Sequence, residues 1–309
     1  MENQHSQVAQ STATSGSPLK VALAIVLVVM VAEGIGGIMS NSLALLGDAG
    51  HMLVDALALG LALFAVTIAK RPATSTRTYG YHRVEIMAAL ANGSILILVS
   101  IYIFYEAYQR FLEPPLVQTP LMLIVATIGL IANLIGIVIL RRVGQKTLNI
   151  KAAFWHIIGD TISSVGVIIA GVIISITGWR IADPVIAVLI GCIIFWGAMR
   201  LVRESADILL ETVPKHIRVG DVIGTIKKIS GAEDVHDIHI WTITSGIYAL
   251  SAHLLIEDQR VSQSGEIVEA VNRDLARYFN ITHTTLQLEC EKCESCPTGL
   301  ICDIRRVGA

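Results

Sequence analysis

His51 and Asp55 are four residues apart, and so are His156 and Asp160. In an α-helix, residues i and i+4 lie one turn apart on the same face. Each pair therefore offers one imidazole nitrogen and one carboxylate to a single point. Two such helices facing each other supply two nitrogens and two oxygens, the number and kind of donors a tetrahedral zinc site takes. Imidazole with carboxylate also suits cobalt, cadmium, nickel and iron, whereas manganese prefers a set richer in oxygen. A single histidine or aspartate in such a place could do no more than hydrogen-bond or pair with a neighbouring helix; the duplication is what points to a metal.

The elements that must position these pairs are long and apolar. Hydrophobic residues make up 53% of the chain and charged ones 16%, against about a quarter charged in ordinary soluble domains. Mean hydropathy is +0.65. Six segments, at 19–39, 43–69, 84–111, 116–140, 152–177 and 181–202, each reach the roughly 20 residues that cross about 30 Å of hydrocarbon. Breaks with turn chemistry separate them, among them Ser40-Asn41-Ser42, Glu113-Pro114-Pro115 and Gly178-Trp179-Arg180. The remaining residues are too few to cover six such segments as a soluble core. The first His/Asp pair falls in the second segment and the second pair in the fifth.

If the spans alternate, Lys20, Lys70, Arg71, Arg77, Arg83, Arg141, Arg142, Lys146, Lys151, Arg200 and Arg203 fall on one side, and only Arg110 and Arg180 on the other. The positive-inside rule then puts both termini in the cytoplasm. Within lipid the pairs have a charge logic: two carboxylates and one dication sum to zero, which a low-dielectric medium tolerates. Metal and protons compete for the same donor atoms, and that competition is a physical basis for metal/proton antiport. Asp48, three residues before His51, shares its face and is expected to orient it or to mark the outer mouth of the site. Glu33, Asn92, Glu106, Asn133 and Asp183 are expected in packing and hydrogen-bonding roles. Arg83 and Glu85 are expected to fix the loop before the third span, and His82 to be solvated there.

From residue 210 the chain reads as a small soluble domain to 289, with Pro214 breaking the preceding helix. Helical spacing at 219–229, β-rich runs at 235–243 and 247–256 around Thr244-Ser245-Gly246, an amphipathic stretch at 262–279 and a short strand at 284–288 follow. The order α-β-β-α-β predicts an α+β sandwich with its helices on one face of the sheet. His236 and His253 are placed to meet across the hairpin. With His239 and His283 they make a second, cytoplasmic metal site a candidate. The tail, 290–309, holds Cys290, Cys293 and Cys296 at thiolate spacing suited to zinc, with Cys302 beyond; the alternative is free cytosolic thiols. Residues 1–18 form a polar stretch, expected to be disordered, without a signal-peptide pattern.

Several functions are disfavoured. Net charge is −2, so no basic face argues for nucleic acid. The chain lacks a His-Glu-x-x-His motif, and four protein ligands leave little room for a catalytic water, so a zinc hydrolase is not expected. A metal-sensing membrane protein and a channel stand as alternatives to a transporter, as does a transporter preferring cobalt, cadmium, nickel or iron. The soluble part carries no kinase, nucleotide-binding or DNA-binding signature that a sensor would use.

The run from Ser42 to Asp55, the loop from Tyr79 to Glu85, His156 to Asp160, Ala182-Asp183-Pro184 and His236 to Trp241 resemble cation diffusion facilitators of the zinc-transporting branch. The resemblance covers about residues 19 to 290. It implies a homodimer of six-span protomers, each with a cytoplasmic domain of ferredoxin-like, metallochaperone type. It implies zinc export by alternating access, coupled to proton entry. His51, Asp55, His156 and Asp160 match the family's transport-site positions, and histidine at 51 resembles its zinc-selective members. His236 and His253 match positions that bind zinc in the cytoplasmic domain of some members, with His283 a looser match. Neither the loop before the third span nor that before the fifth is histidine-rich. A bacterial inner-membrane protein is therefore the expected setting.

Overall fold

A computed structural model describes residues 24–69, 71–143 and 148–290. The chain divides into two compact units, one drawn from residues up to 61 together with 91–201, the other from 62–90 and from 202 onward.

The first unit is helical. Its segments come from α1 (Ala24–Ser40), α2 (Leu43–Ala69), α3 (Arg83–Leu112), α4 (Thr119–Val143), α5 (Leu148–Thr177) and α6 (Ala182–Leu209). Among the described residues, α3, α6 and the stretches Thr119–Ile139 and Ile157–Thr177 are long and apolar enough to cross a membrane, and α1 is a shorter apolar helix. These helices are apolar all round, the pattern of segments that meet protein on one side and lipid on the other. Leu43 and Leu45 of α2, Ile103 and Ala107 of α3, Met122 and Ala126 of α4, Val167 and Ala170 of α5 and Ile190 of α6 share one core. Large residues such as Ile38, Leu98, Ile176 and Trp196 are exposed. Small residues set the closest approaches: a Cβ on Gly36 would stand 2.7 Å from Val125, and one on Gly171 2.7 Å from Leu123.

Asp183, in the first turn of α6, ties three helices together. Its carboxylate accepts from Ser42 Oγ at 2.5 Å, Leu43 N at 2.7 Å and Ala44 N at 3.2 Å. The orphan N–H groups that open α2 are thus satisfied from a neighbouring helix. Near the end of α3, Arg110 donates to the Asn41 carbonyl at 2.7 Å and to its side chain at 3.1 Å, and lies 3.6 Å from Asp183 Oδ2. Asn41, at φ +56°, turns the chain between α1 and α2. This network sets the depth and rotation of α2, and with them the face that carries His51 and Asp55.

α6 runs seven residues past the expected end at 202, because Arg203, Glu204 and Asp207 continue it as a polar helix after the apolar run stops. α4 starts at Thr119, with Pro120 in its first turn, where a missing N–H costs nothing.

The second unit carries α7 (Val219–Ile226), β1 (Ala232–Thr244), β2 (Ile247–Ile256), α8 (Val261–Phe279) and β3 (Ile281–Glu289), in the expected order. β1 and β2 form an antiparallel hairpin, and β3 adds parallel to β2 through the α8 crossover. Ile267, Val271 and Leu275 form the buried stripe of α8, at helical spacing. They pack with Val222 and Ile226 of α7 on Leu250, Ala252 and Leu254 of β2. The helices therefore cover one face of the sheet. The hairpin tip meets α3, where Glu85 accepts from Thr244 Oγ1 at 2.8 Å and Ser245 Oγ at 3.2 Å, and Arg83 pairs with Glu211 at 2.6 Å.

Replacing Asp183 by Ala removes the cap of α2 and leaves Arg110 with Glu106, 3.1 Å from its Nε, as its carboxylate partner. The expected loss is about 2–4 kcal/mol, seen as a lower thermal midpoint of the detergent-purified protein, with a smaller loss for Asp183→Asn.

Candidate metal centre

Asp48, His51 and Asp55 follow one another on α2 at steps of three and four residues, which keeps them on one stripe. His51 Nε2 lies 3.3 Å from Asp55 Oδ2. On α5, Asp160 is buried, only 1% exposed. His156 sits one turn earlier on the same helix; its side chain lies outside those described. Ser163, three residues after Asp160, lies beside Asp48, and Asp160 is close enough to Asp48 for their charges to interact. The polar stripes of α2 and α5 thus face each other. α1 adds Glu33, also 1% exposed and within hydrogen-bond reach of Asp48. Its carboxylate lies over Gly129 of α4, where a Cβ would collide with it.

A second cluster lies on the sheet. His236 and His253 are directly paired across the hairpin, their ring centroids 5.2 Å apart. Glu289, at the end of β3, bridges them: Oε1 is 2.8 Å from His253 Nδ1 and Oε2 3.1 Å from His236 Nε2. One donor atom from each of the three lies within 4.8 Å of the others. That spread fits a single ion with metal–ligand bonds of about 2.0–2.2 Å.

A bulge in β1 builds this polar face. Val235 points into the core, yet so do Ile238 and Ile240, so the alternation shifts between them. The register slips between His236 and His239, and Asp237 sits there at φ +46°. An extra residue in one strand is what such a shift requires. His236 and His239 consequently share the side away from the helices. Asp237 lies 3.2 Å from His239 Nε2 and 3.7 Å from His253 Nε2.

His283 does not join this cluster. The parallel register sets it opposite Ala249, four residues before His253, or roughly 13 Å along the strand. There it packs edge-on against Tyr79, with ring centroids 5.5 Å apart. The expectation of His283 beside His236 and His253 is corrected by this register, and Glu289 holds the third place. Cys290 is exposed with a free thiol, while Cys293 and Cys296 lie outside the described residues.

Residues 19–210 match the cation efflux transmembrane domain, and residues 214–291 match the cytoplasmic domain of cation efflux proteins. The chain belongs to the cation efflux family. It is 43% identical over 265 residues to the cadmium, cobalt and zinc/H(+)-K(+) antiporter of Bacillus subtilis, covering 85% of each chain. It is 43% identical over 276 residues to the metal cation efflux system protein CzcD of Cupriavidus metallidurans, covering 89% of this chain and 87% of that one. It is 37% identical over 268 residues to the zinc transporter ZitB of Pectobacterium atrosepticum, covering 86% and 82%. A solved structure of the metal-bound C-terminal domain of the CzcD transporter is 34% identical, with a TM-score of 0.22, over 24% of this chain and 99% of that one. As a cation efflux protein the chain is a transporter and not an enzyme, and residues 19–210 are its transmembrane domain.

Sequence reasoning missed Glu289 because the last strand was expected to stop at 288. The signal was present in the alternation of β3, which puts His283, Thr285, Gln287 and Glu289 on one face.

The left-handed backbone at Asp237 makes a separable prediction. Asp237→Gly keeps the bulge at no steric cost, whereas Asp237→Val lowers stability by about 1–2 kcal/mol. Comparing thermal melts of the two purified variants isolates the backbone effect, since both lack the carboxylate.

Proposed function

We propose that this cation efflux protein exports zinc from the cytoplasm in exchange for protons. The ion is held between α2 and α5 by His51, Asp55, His156 and Asp160. One observation carries the reading: Asp48 of α2 lies beside Ser163 of α5. Spans two and five of an alternating bundle run in opposite directions. With 48 level with 163, the common rise of about 1.5 Å per residue puts 51 level with 160 and 55 level with 156. Each imidazole then stands opposite a carboxylate of the other helix, which supports a two-nitrogen, two-oxygen seat.

That donor set suits zinc first and also accommodates cobalt and cadmium, the metals in the names of the relatives. The two carboxylates cancel the charge of the dication, so the loaded seat can cross from one access state to the other without an exposed charge. Protons compete for the same four side chains. Alternating access therefore moves metal one way and protons the other, with both termini in the cytoplasm. Residues 19–209 form the transport domain in this reading, and residues 210–289 the cytoplasmic domain through which two copies assemble. His236, His253 and Glu289 hold a resident zinc ion on the sheet, and this ion ties β1, β2 and β3 together.

In proteoliposomes with an imposed pH gradient, zinc uptake is expected to fall by more than about 100-fold in Asp55→Ala and Asp160→Ala, beyond the loss typical for residues that merely support a ligand. Uptake that ignores collapse or reversal of the gradient contradicts the exchange, and variants that transport normally contradict the seat. For the sheet site, His236→Ala and Glu289→Ala are expected to lower the zinc bound per protomer of the purified protein by about one ion, measured by elemental analysis.

A further inference from the structure

Within the second unit, the foot of α6 meets the hinge and the hairpin around a cavity of about 230 Å³. Glu204 and Asp207 of α6 line it, with residues 212–216 of the hinge and Thr242 and Tyr248 of the hairpin. The fold fixes each wall. Glu211, at φ +58°, closes α6: its N–H donates to the Ile208 carbonyl at 3.2 Å, and Thr212 N donates to the Asp207 carbonyl at 3.1 Å. The Thr212 hydroxyl donates to the same carbonyl at 3.0 Å. On the hairpin, Asn280 Nδ2 donates to the Gly246 carbonyl at 3.1 Å. His216 and Tyr248 pack ring to ring, their centroids 5.0 Å apart.

Two carboxylates share this lining with one ammonium. Lys215 Nζ lies 3.5 Å from Asp207 Oδ2, but the two side chains are 75% and 43% exposed. Water screens such a pair, and it changes partners at little cost. Thr242 lines the cavity although only 6% exposed, and its side chain makes no hydrogen bond among the described residues. An acid-rich wall beside an unpaired hydroxyl suits a ligand that carries positive charge and donates hydrogen bonds. The level of the cavity points to lipid. The apolar run of α6 ends at 202, and Glu204 to Ile208 stand roughly 3–9 Å further along the helix. That range overlaps the headgroup layer, which extends roughly 5–8 Å beyond the hydrocarbon on each side. Leu210 is 76% exposed there, and Val213, in the cavity wall, 38%. Apolar side chains left uncovered together mark a surface that meets another apolar phase.

We propose that this cavity holds the headgroup of a phospholipid bearing a primary ammonium, of the phosphatidylethanolamine type. The ammonium donates to Glu204 and Asp207, and Lys215, released from Asp207, pairs with the phosphate. One weak ion pair is thereby exchanged for contacts of both signs, so no charge is left without a partner. A primary ammonium offers three N–H donors. A trimethylammonium headgroup offers none, and a glycerol headgroup brings no positive charge to the acids. The acyl chains run beside Leu210 and Val213, and the bound headgroup ties the foot of α6 to the hinge and the hairpin.

The test offers the detergent-purified full chain equal amounts of phosphatidylethanolamine, phosphatidylcholine and phosphatidylglycerol with identical acyl chains, and counts bound lipid by native mass spectrometry. Wild type is expected to hold phosphatidylethanolamine at least about fivefold more tightly than either competitor. The double variant Glu204→Gln, Asp207→Asn is expected to lose about tenfold of that affinity, the loss of one charged hydrogen bond, with the other two lipids shifted less than about twofold. Glu204→Asp, with the acid kept, retains most of the preference. A second arm adds water-soluble phosphoethanolamine, expected to bind at least about tenfold more weakly than the lipid because it buries no acyl chain. The proposal is overturned if wild type does not discriminate among the three lipids, or if the double variant keeps the preference. A uniform loss of all three lipids overturns it too, since the acids then support the fold and do not select the headgroup. Free phosphoethanolamine binding as tightly as the lipid makes the cavity a site for a soluble amine and overturns the lipid assignment. If the double variant does not assemble, Asp207→Asn alone is judged by the same criteria.

Discussion

A carboxylate placed among apolar helices persists only where donors or a positive charge meet it. The helical unit answers that demand in two ways. Asp183 is met by the protein itself: two backbone N–H groups, a serine hydroxyl and the guanidinium of Arg110 surround it. Its charge is spent on architecture, and it holds the start of α2 against α3 and α6. Asp48 and Glu33 are as deeply buried and receive nothing comparable.

The same constraint explains the glycines and small residues. A carboxylate that must face inward needs room beside its helix, and Gly129 supplies it for Glu33. Gly136, seven residues on and on the same face of α4, lets Ile157 of α5 approach, one turn from Asp160. Close backbone contact in lipid rests on such small residues, because apolar side chains gain little from leaving hydrocarbon.

In the α+β unit a different device gathers the donors. A strand normally sends alternate residues to opposite faces, which would separate His236 from His239. The bulge at Asp237 breaks the alternation once and puts both on the face away from the helices. The parallel pairing of β3 brings Glu289 to His236 and His253 and carries His283 away from them. The hairpin that carries these histidines also meets the first turn of α3 through Glu85.

Periodicity and composition alone determined the helical, apolar character of the first unit, the α-β-β-α-β order of the soluble part and the spacing of the two His/Asp pairs, because these depend on spacing within one element. α2 and β2 lie where the apolar run and the β-rich run end in the sequence. What spacing cannot carry is the relation between elements. The partnership of Glu33 with Asp48 is set by how α1 packs on α2 and α4. The cap that Asp183 puts on α2 joins residues about 140 positions apart. The choice of Glu289 over His283 hangs on a strand register and a single left-handed residue. Each depends on long-range packing in three dimensions, and a one-dimensional pattern holds no term for it.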